Sequence, residues 1–172
     1  MNVRSFLFLF LAFAPMYADS TPQVGQKDQA PVTLESSTFS MIKPRAVREG
    51  HTGEILAALE KQGFHIRALR MRTLTKEEAE RFYKEHEGKP FFSDLVSKMT
   101  SGPIVTMVLS KKGAVHELRG CIGATDPKKA APDTIRARFG IDVTENAIHA
   151  SDSPLSAQRE IAFFFAPNEL EG

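Results

Sequence analysis

"PIVTMVLS", Pro103–Ser110, is an unbroken apolar run of strand length. A run without polar alternation reads as a central strand of a sheet. Upstream, "FFSDLVSKMTSG" has a helical pattern from Phe91 to Met99 and closes at Gly102. Before it, "TKEEAERFYKEHEG" opens with Thr75 and Glu78 three residues apart, the spacing of a capping box, and runs to Gly88. "FHIRALRMRTL" is strand-like, and its charges predict one wet face. "TGEILAALEKQG" sets Ile55, Leu56 and Leu59 at helical spacing with Gly63 as a stop. "STFSMIKP" alternates Phe39, Met41 and Lys43 against Thr38, Ser40 and Ile42, a short strand halted by Pro44. Downstream, "GAVHELRGCIG" is helical and "DTIRARFG" makes a turn or two of helix. After a short strand, "SDSPLSAQREIAFFF" is a helix capped by Ser153 with Pro154 as its first residue. The order predicts an α/β (α+β) fold: a ferredoxin-like split βαβ sandwich with helices packed on a small, mixed, mostly antiparallel sheet.

The chain of 172 residues is long enough for one domain with a real core. A net charge of +1 excludes a global basic field for nucleic acid, although a local patch remains compatible with it. The single cysteine, Cys121, excludes an intramolecular disulfide and argues against a thiolate zinc site. Residues 1–18 have Arg4, an apolar run from Phe6 to Ala14 and a small residue at Ala18, the pattern of a secretory signal peptide. The expected location is therefore exported or periplasmic, with cytoplasmic as the alternative. The apolar run is too short to span a bilayer, so no membrane is expected for the mature form. Residues 19–37 read as a flexible linker, with the folded domain over 38–172.

The five histidines are scattered, with no HExxH and no pair at metal-ligand spacing. Most single histidines are surface or hydrogen-bonded residues. His149 is distinguished by small neighbours, Ala150 and Ser151, by Asn146 three residues earlier, and by Glu160 on the following helix. A carboxylate that holds one ring nitrogen leaves the other as base or nucleophile. Lys43, Arg119, Thr125 and Arg136 lie at or beyond the ends of elements and are suited to phosphate, although any one of them alone reads as a surface group. There is no GxxxxGK[ST] and no GxGxxG, so side chains would have to hold a phosphate. Of Phe91 and Phe92, one can stack on a base while Phe92 reads as core.

Seven blocks in order, "TFSMIKP", "FYKEHEGKPFF", "TSGPIV", "RGCIGATDP", "DTIRARFG", "NAIHASDS" and "REIAFFF", resemble the nucleoside diphosphate kinase family in its bacterial form, from Thr38 to about Glu169. The family's last motif, N-x-x-H-G-S-D-S, stands here at Asn146–Ser153 with Ala150 in place of glycine. The resemblance implies ping-pong transfer of the γ-phosphate of a nucleoside triphosphate, mainly ATP, to nucleoside diphosphates through a phosphohistidine on His149, which maintains nucleotide pools. It implies that Arg119, Thr125, Arg136 and His86 hold phosphates, and that Lys43 and Asn146 hold ribose hydroxyls and terminal phosphates. Phe91 would stack on the base against Val143 with Leu95 beneath, while Tyr83 and Glu160 would support the site and Glu160 would orient His149. Mg²⁺ would be held by nucleotide phosphates and water rather than by protein ligands. The expected assembly is a homo-oligomer, tetramer or hexamer, and no specific nucleic acid partner is expected. The chain departs from the family's usual pattern at Arg45, Ala46, Asp133, Arg138 and Ala150. The alternative reading is an exported relative with weak activity that acts as a nucleotide- or nucleic-acid-binding or interaction protein.

Overall fold

The structure, a computed structural model, describes residues 36–170. The signal segment expected over 1–18, and all of the expected linker except Ser36 and Ser37, lie outside the described residues. The first strand, β1 (Ser37–Ile42), begins one residue before the expected domain start. It is followed by α1 (Pro44–Arg48), α2 (Thr52–Lys61), β2 (His65–Thr73), α3 (Lys76–Phe82), α4 (Phe92–Met99) and β3 (Pro103–Ser110). The chain continues through α5 (Ala114–Ile122), α6 (Ile135–Phe139), β4 (Ile148–Ala150) and α7 (Pro154–Phe164). None of the helices among the described residues is long and apolar enough to cross a membrane.

The sheet order is β2-β3-β1-β4, and all three pairings are antiparallel, so the expected mixed sheet is corrected to a wholly antiparallel one. The reason is the split βαβ topology: β3 is inserted between β1 and β2, so these two strands never hydrogen-bond each other. The apolar run of β3 is buried on both faces. Its Val105, Met107 and Leu109 join Ile55 and Leu59 of α2, Leu118 and Ile122 of α5, and Ile135 of α6 in one core. Its Ile104 and Val108 join Phe39 and Met41 of β1 and residues of α3, α4 and α7 in the other. Two helical layers thus cover the two faces of one sheet, which accounts for the lack of polar alternation in β3.

Three local expectations change. Pro44 does end β1, yet it also opens the unforeseen α1, where a proline's fixed φ and missing N–H are harmless. Lys43 is therefore the residue before a helix and not a strand residue. The helix expected to reach Gly88 ends at Phe82 and continues as a separate 3-10 turn, Lys84–His86. In β2 the wet face carries the apolar side chains Leu69 and Met71. Arg70 and Arg72 turn instead toward α7: Arg70 Nη1 donates to the Phe164 carbonyl at 3.1 Å, and Arg72 lies 6.0 Å from the Phe164 ring.

The capping box of α3 forms as its spacing predicts. Thr75 Oγ1 accepts from Glu78 N at 3.2 Å, and Glu78 Oε2 accepts from Thr75 N at 2.9 Å. Thr75→Ala is expected to cost about 1 kcal/mol, read as a lower denaturation midpoint with an unchanged m-value.

Candidate active site

Side chains alternate along β4. Ile148 and Ala150 enter the α2/α5/α6 core, while His149 points to the opposite layer. There its ring lies 6.0 Å from Phe39, 5.4 Å from Phe82 and 6.2 Å from Tyr83. These rings wall the imidazole on the side of β1 and α3. The same alternation explains Ala150, the residue that stands where glycine is usual. Its methyl is buried, and β4 pairs Ala150 with Ser40 in extended backbone, so no left-handed conformation is needed.

Glu160, 5% exposed in its side chain, comes from α7. Ser153 caps this helix by accepting from Ser156 N at 3.1 Å, with Pro154 as the first helical residue. Glu160 Oε2 lies 2.9 Å from His149 Nε2 and accepts from Ser151 Oγ at 2.7 Å. With Glu160 ionised, the donor on the imidazole is Nε2–H, and Nδ1 is then the nitrogen with a free lone pair. Ser151 was not among the expected site residues. The signal was present, since residues 149 and 151 fall on one face under strand periodicity.

A second group surrounds the approach to β4. Lys43 Nζ donates to the Thr144 carbonyl at 2.9 Å. Burial, with the Arg136 charge adding to it, lowers its pKa to about 7, although Asp142 and Glu145 oppose the shift. Arg136 donates to the Ile148 carbonyl at 3.3 and 3.1 Å and to the Gly123 carbonyl at 3.0 Å. Burial, then the neighbouring Arg119, lowers its pKa to about 10. Gly123 has φ +84°, and any side chain there would collide with Thr134. Both buried cations thus bond to carbonyls, and neither donates to a carboxylate in these bonds.

Asn146 does not approach His149 as a donor. Its Nδ2 donates to the carbonyls of Thr125 at 3.1 Å and Val143 at 3.0 Å, and so joins two loops. Its Oδ1 is buried without a partner among the described residues. The next residue, Ala147, has φ +71° and is the centre of a three-residue turn closed by Ile148 N to the Asn146 carbonyl at 2.9 Å. This is the strained form of such a turn, and strain of this kind tends to collect at functional sites. Sequence reading placed the backbone question at Ala150; the structure places it at Ala147.

The remaining expected residues form a row. Tyr83 lies flat beside His86 at 6.2 Å, and His86 lies 5.6 Å from Phe91. Lys89 Nζ donates to His86 Nδ1 at 3.1 Å. Burial, and next the Lys89 charge, lowers the His86 pKa. Tyr83 is buried, with its hydroxyl unpartnered among the described residues, and burial followed by Glu160 raises its pKa. Leu95 is buried, whereas Phe91 and Val143 are 45% and 55% exposed. Phe92 is half-buried against the α3/α4/α7 core. Arg119 and Thr125 are exposed, on α5 and in the loop after it. Among the described residues no group of three His, Cys, Asp or Glu is placed to hold a metal ion. The donor set gathered here is mostly cationic and neutral, which fits a metal carried on phosphates better than one held by the protein.

The family profile "Nucleoside diphosphate kinase" matches residues 36–170. A nucleoside diphosphate kinase of Pelotomaculum thermopropionicum is 56% identical over 133 residues, covering 77% of this chain and 89% of the relative. One of Archaeoglobus fulgidus is 50% identical over 133 residues, with 77% and 88% covered. Among solved structures, the Aquifex aeolicus nucleoside diphosphate kinase superposes with a TM-score of 0.76 at 46% identity, over 78% of this chain and 98% of that one. A halophilic nucleoside diphosphate kinase from Halobacterium salinarum, solved in complex with CDP, gives 0.77 at 41% identity over 80% and 92%. The profile spans every described residue, and the two solved relatives share the fold; the chain belongs to the nucleoside diphosphate kinase family and is an enzyme of that kind.

Proposed function

We propose that this enzyme moves the γ-phosphoryl group of a nucleoside triphosphate, mainly ATP, to nucleoside diphosphates through a phosphohistidine on His149, and so maintains nucleotide pools. The observation that carries this reading is the pairing of His149 Nε2 with the buried Glu160 at 2.9 Å, which leaves Nδ1 as the nucleophile. In the first half-reaction the Nδ1 lone pair attacks the γ-phosphorus. The bond to the β–γ bridging oxygen breaks, and its electrons leave with the diphosphate. In the second, a terminal oxygen of the acceptor diphosphate attacks the same phosphorus and the P–N bond breaks, which restores the imidazole. Donor and acceptor differ little, so one site serves both steps.

The side chains act mainly by placing charge, as phosphoryl transfer requires. Arg136 and Lys43 are held by backbone carbonyls, so Arg136 keeps its positive charge for a ligand anion and Lys43 gains its full charge when the anion binds. Arg119, Thr125 and His86 add phosphate contacts, and Asn146 with Lys43 takes the ribose hydroxyls. Phe91 and Val143, both exposed, stand as walls for a base above Leu95, and stacking without edge contacts tolerates purine and pyrimidine alike. Tyr83 closes the imidazole's far side. Mg²⁺ would arrive on the nucleotide and neutralise phosphate charge. The resemblance also implies a tetramer or hexamer, and the exposed Leu69 and Met71 on edge strand β2 give a second copy an apolar edge to meet. The N-terminal pattern supports export.

Incubation with ATP labelled in the γ position is expected to give an acid-labile, base-stable phosphoprotein. His149→Ala should take up no label and lower kcat/KM by about three orders of magnitude or more; label retained by this variant would show that another group is the nucleophile. A second expectation concerns Lys43, whose pKa of about 7 leaves it mostly neutral at pH 8 in the free enzyme. A bound phosphate favours the ammonium and raises that pKa, so ADP binding at pH 8 should take up protons and weaken as pH rises above 7. Calorimetry in buffers of differing ionisation heat measures the uptake, and Lys43→Met should abolish it.

A further inference from the structure

Arg45 and Arg138 are two of the positions where this chain departs from the family's usual pattern, and both bear on α6. Arg45, on α1, has a side chain only 11% exposed. Its Nη2 donates to the Phe139 carbonyl, at the last residue of α6, and lies 3.4 Å from the Glu145 carbonyl. Its Nη1 donates to Glu49, one helical turn on, which holds the plane of the guanidinium. Arg138 donates to Glu54 of α2 at 3.0 Å and lies 4.5 Å from the Phe139 ring, which also packs 4.7 Å from the His51 ring.

The two carbonyls that Arg45 bridges belong to the segments that carry the phosphate and ribose groups. Phe139 is three residues after Arg136, and Glu145 immediately precedes Asn146. A helix of five residues has little stability of its own, and its last carbonyls have no partner within it. The loop from residue 140 to 147 contains no strand or helix; Ile141 N donates to the Glu145 carbonyl at 3.0 Å, and Arg45 adds a second, longer contact that ties this carbonyl to α1. A planar fork with several donors can fix two carbonyls at once, as an ammonium cannot.

We propose that Arg45 is a positioning residue of this enzyme: by bridging the Phe139 and Glu145 carbonyls it sets the separation of Arg136 from Asn146, and so the width of the nucleotide site. Arg138, through its exposed pair with Glu54, supports the same helix to a smaller degree. The proposal rests on the nucleotide-binding reading of the site given above.

The test uses the full chain and its Arg45→Ala, Arg45→Lys and Arg138→Ala variants, with ADP as the probe. Calorimetry, steady-state kinetics and γ-label uptake at saturating ATP are measured together with the thermal midpoint. Arg45→Ala is expected to raise the ADP Kd and the KM about tenfold while kcat stays within about twofold, the signature of lost uniform binding. Arg45→Lys should recover part of the affinity, leaving Kd raised about threefold, because one ammonium reaches one carbonyl at a time. Arg138→Ala should change Kd less than about twofold, as an exposed pair contributes little. A wild-type Kd in Arg45→Ala overturns the proposal, as does a fall in kcat with unchanged KM. If Arg45→Ala does not fold, Arg45→Lys decides, and a wild-type Kd there is equally fatal. A wild-type enzyme that takes up no label would refute the phosphohistidine reading instead, and a wild type that does not bind ADP would refute the nucleotide site.

Discussion

A carboxylate almost wholly out of water must be satisfied by polar partners, and Glu160 is such a group. Its partners are Ser151 Oγ and His149 Nε2, on or just after β4 and brought to it by the fold of the chain from this edge strand into α7. Satisfying Glu160 fixes the register of α7 on the sheet, because only one turn of the helix can present it to β4. The same register lays Phe164 flat on Phe39, with ring centroids 5.1 Å apart. Helix packing and imidazole orientation are therefore one constraint. Leaving that carboxylate unpaired would be costly enough to disturb both.

The cations obey a complementary rule. Lys43 and Arg136 are buried yet donate to backbone carbonyls, which hold them in place without pairing them to an acid in these bonds. On the proposed reading the nucleotide supplies the anion that faces them. The lowered pKa of Lys43 reflects the same arrangement, since its charged form is penalised by burial and by Arg136. A site so arranged favours a polyanion and has little use for a neutral ligand.

Much of this is legible in the amino-acid sequence. The box at Thr75 and Glu78, the cap at Ser153 and the apolar run at Pro103–Ser110 each appear where their local chemistry places them. His149 was marked by its small neighbours and by Glu160, and the two do meet. Other features had no local mark. Helix α1 hides behind a proline that also reads as a strand stop. In β2 the bulge between Ile66 and Ala68 shifts the register, so charge alone misjudges which face is wet. Ala147, with φ +71°, carries no sign of its strained turn because alanine ordinarily avoids it.

The number and kind of elements, their caps and their apolar periods follow from the chain read alone, because those signals act within a few residues. So does the candidate histidine, since Glu160 and the small residues beside it lie within 11 residues of it, although the rings of Phe39, Phe82 and Tyr83 that wall it come from far along the chain. The meeting of Lys43 with Thr144, of Asn146 with Thr125, and of Arg45 with Phe139 depends on strands and helices paired across 21 to 101 positions. No periodicity encodes such distances. They arise only when the two cores form on the two faces of one antiparallel sheet and bring the loops beside β4 to the side chains that hold their carbonyls.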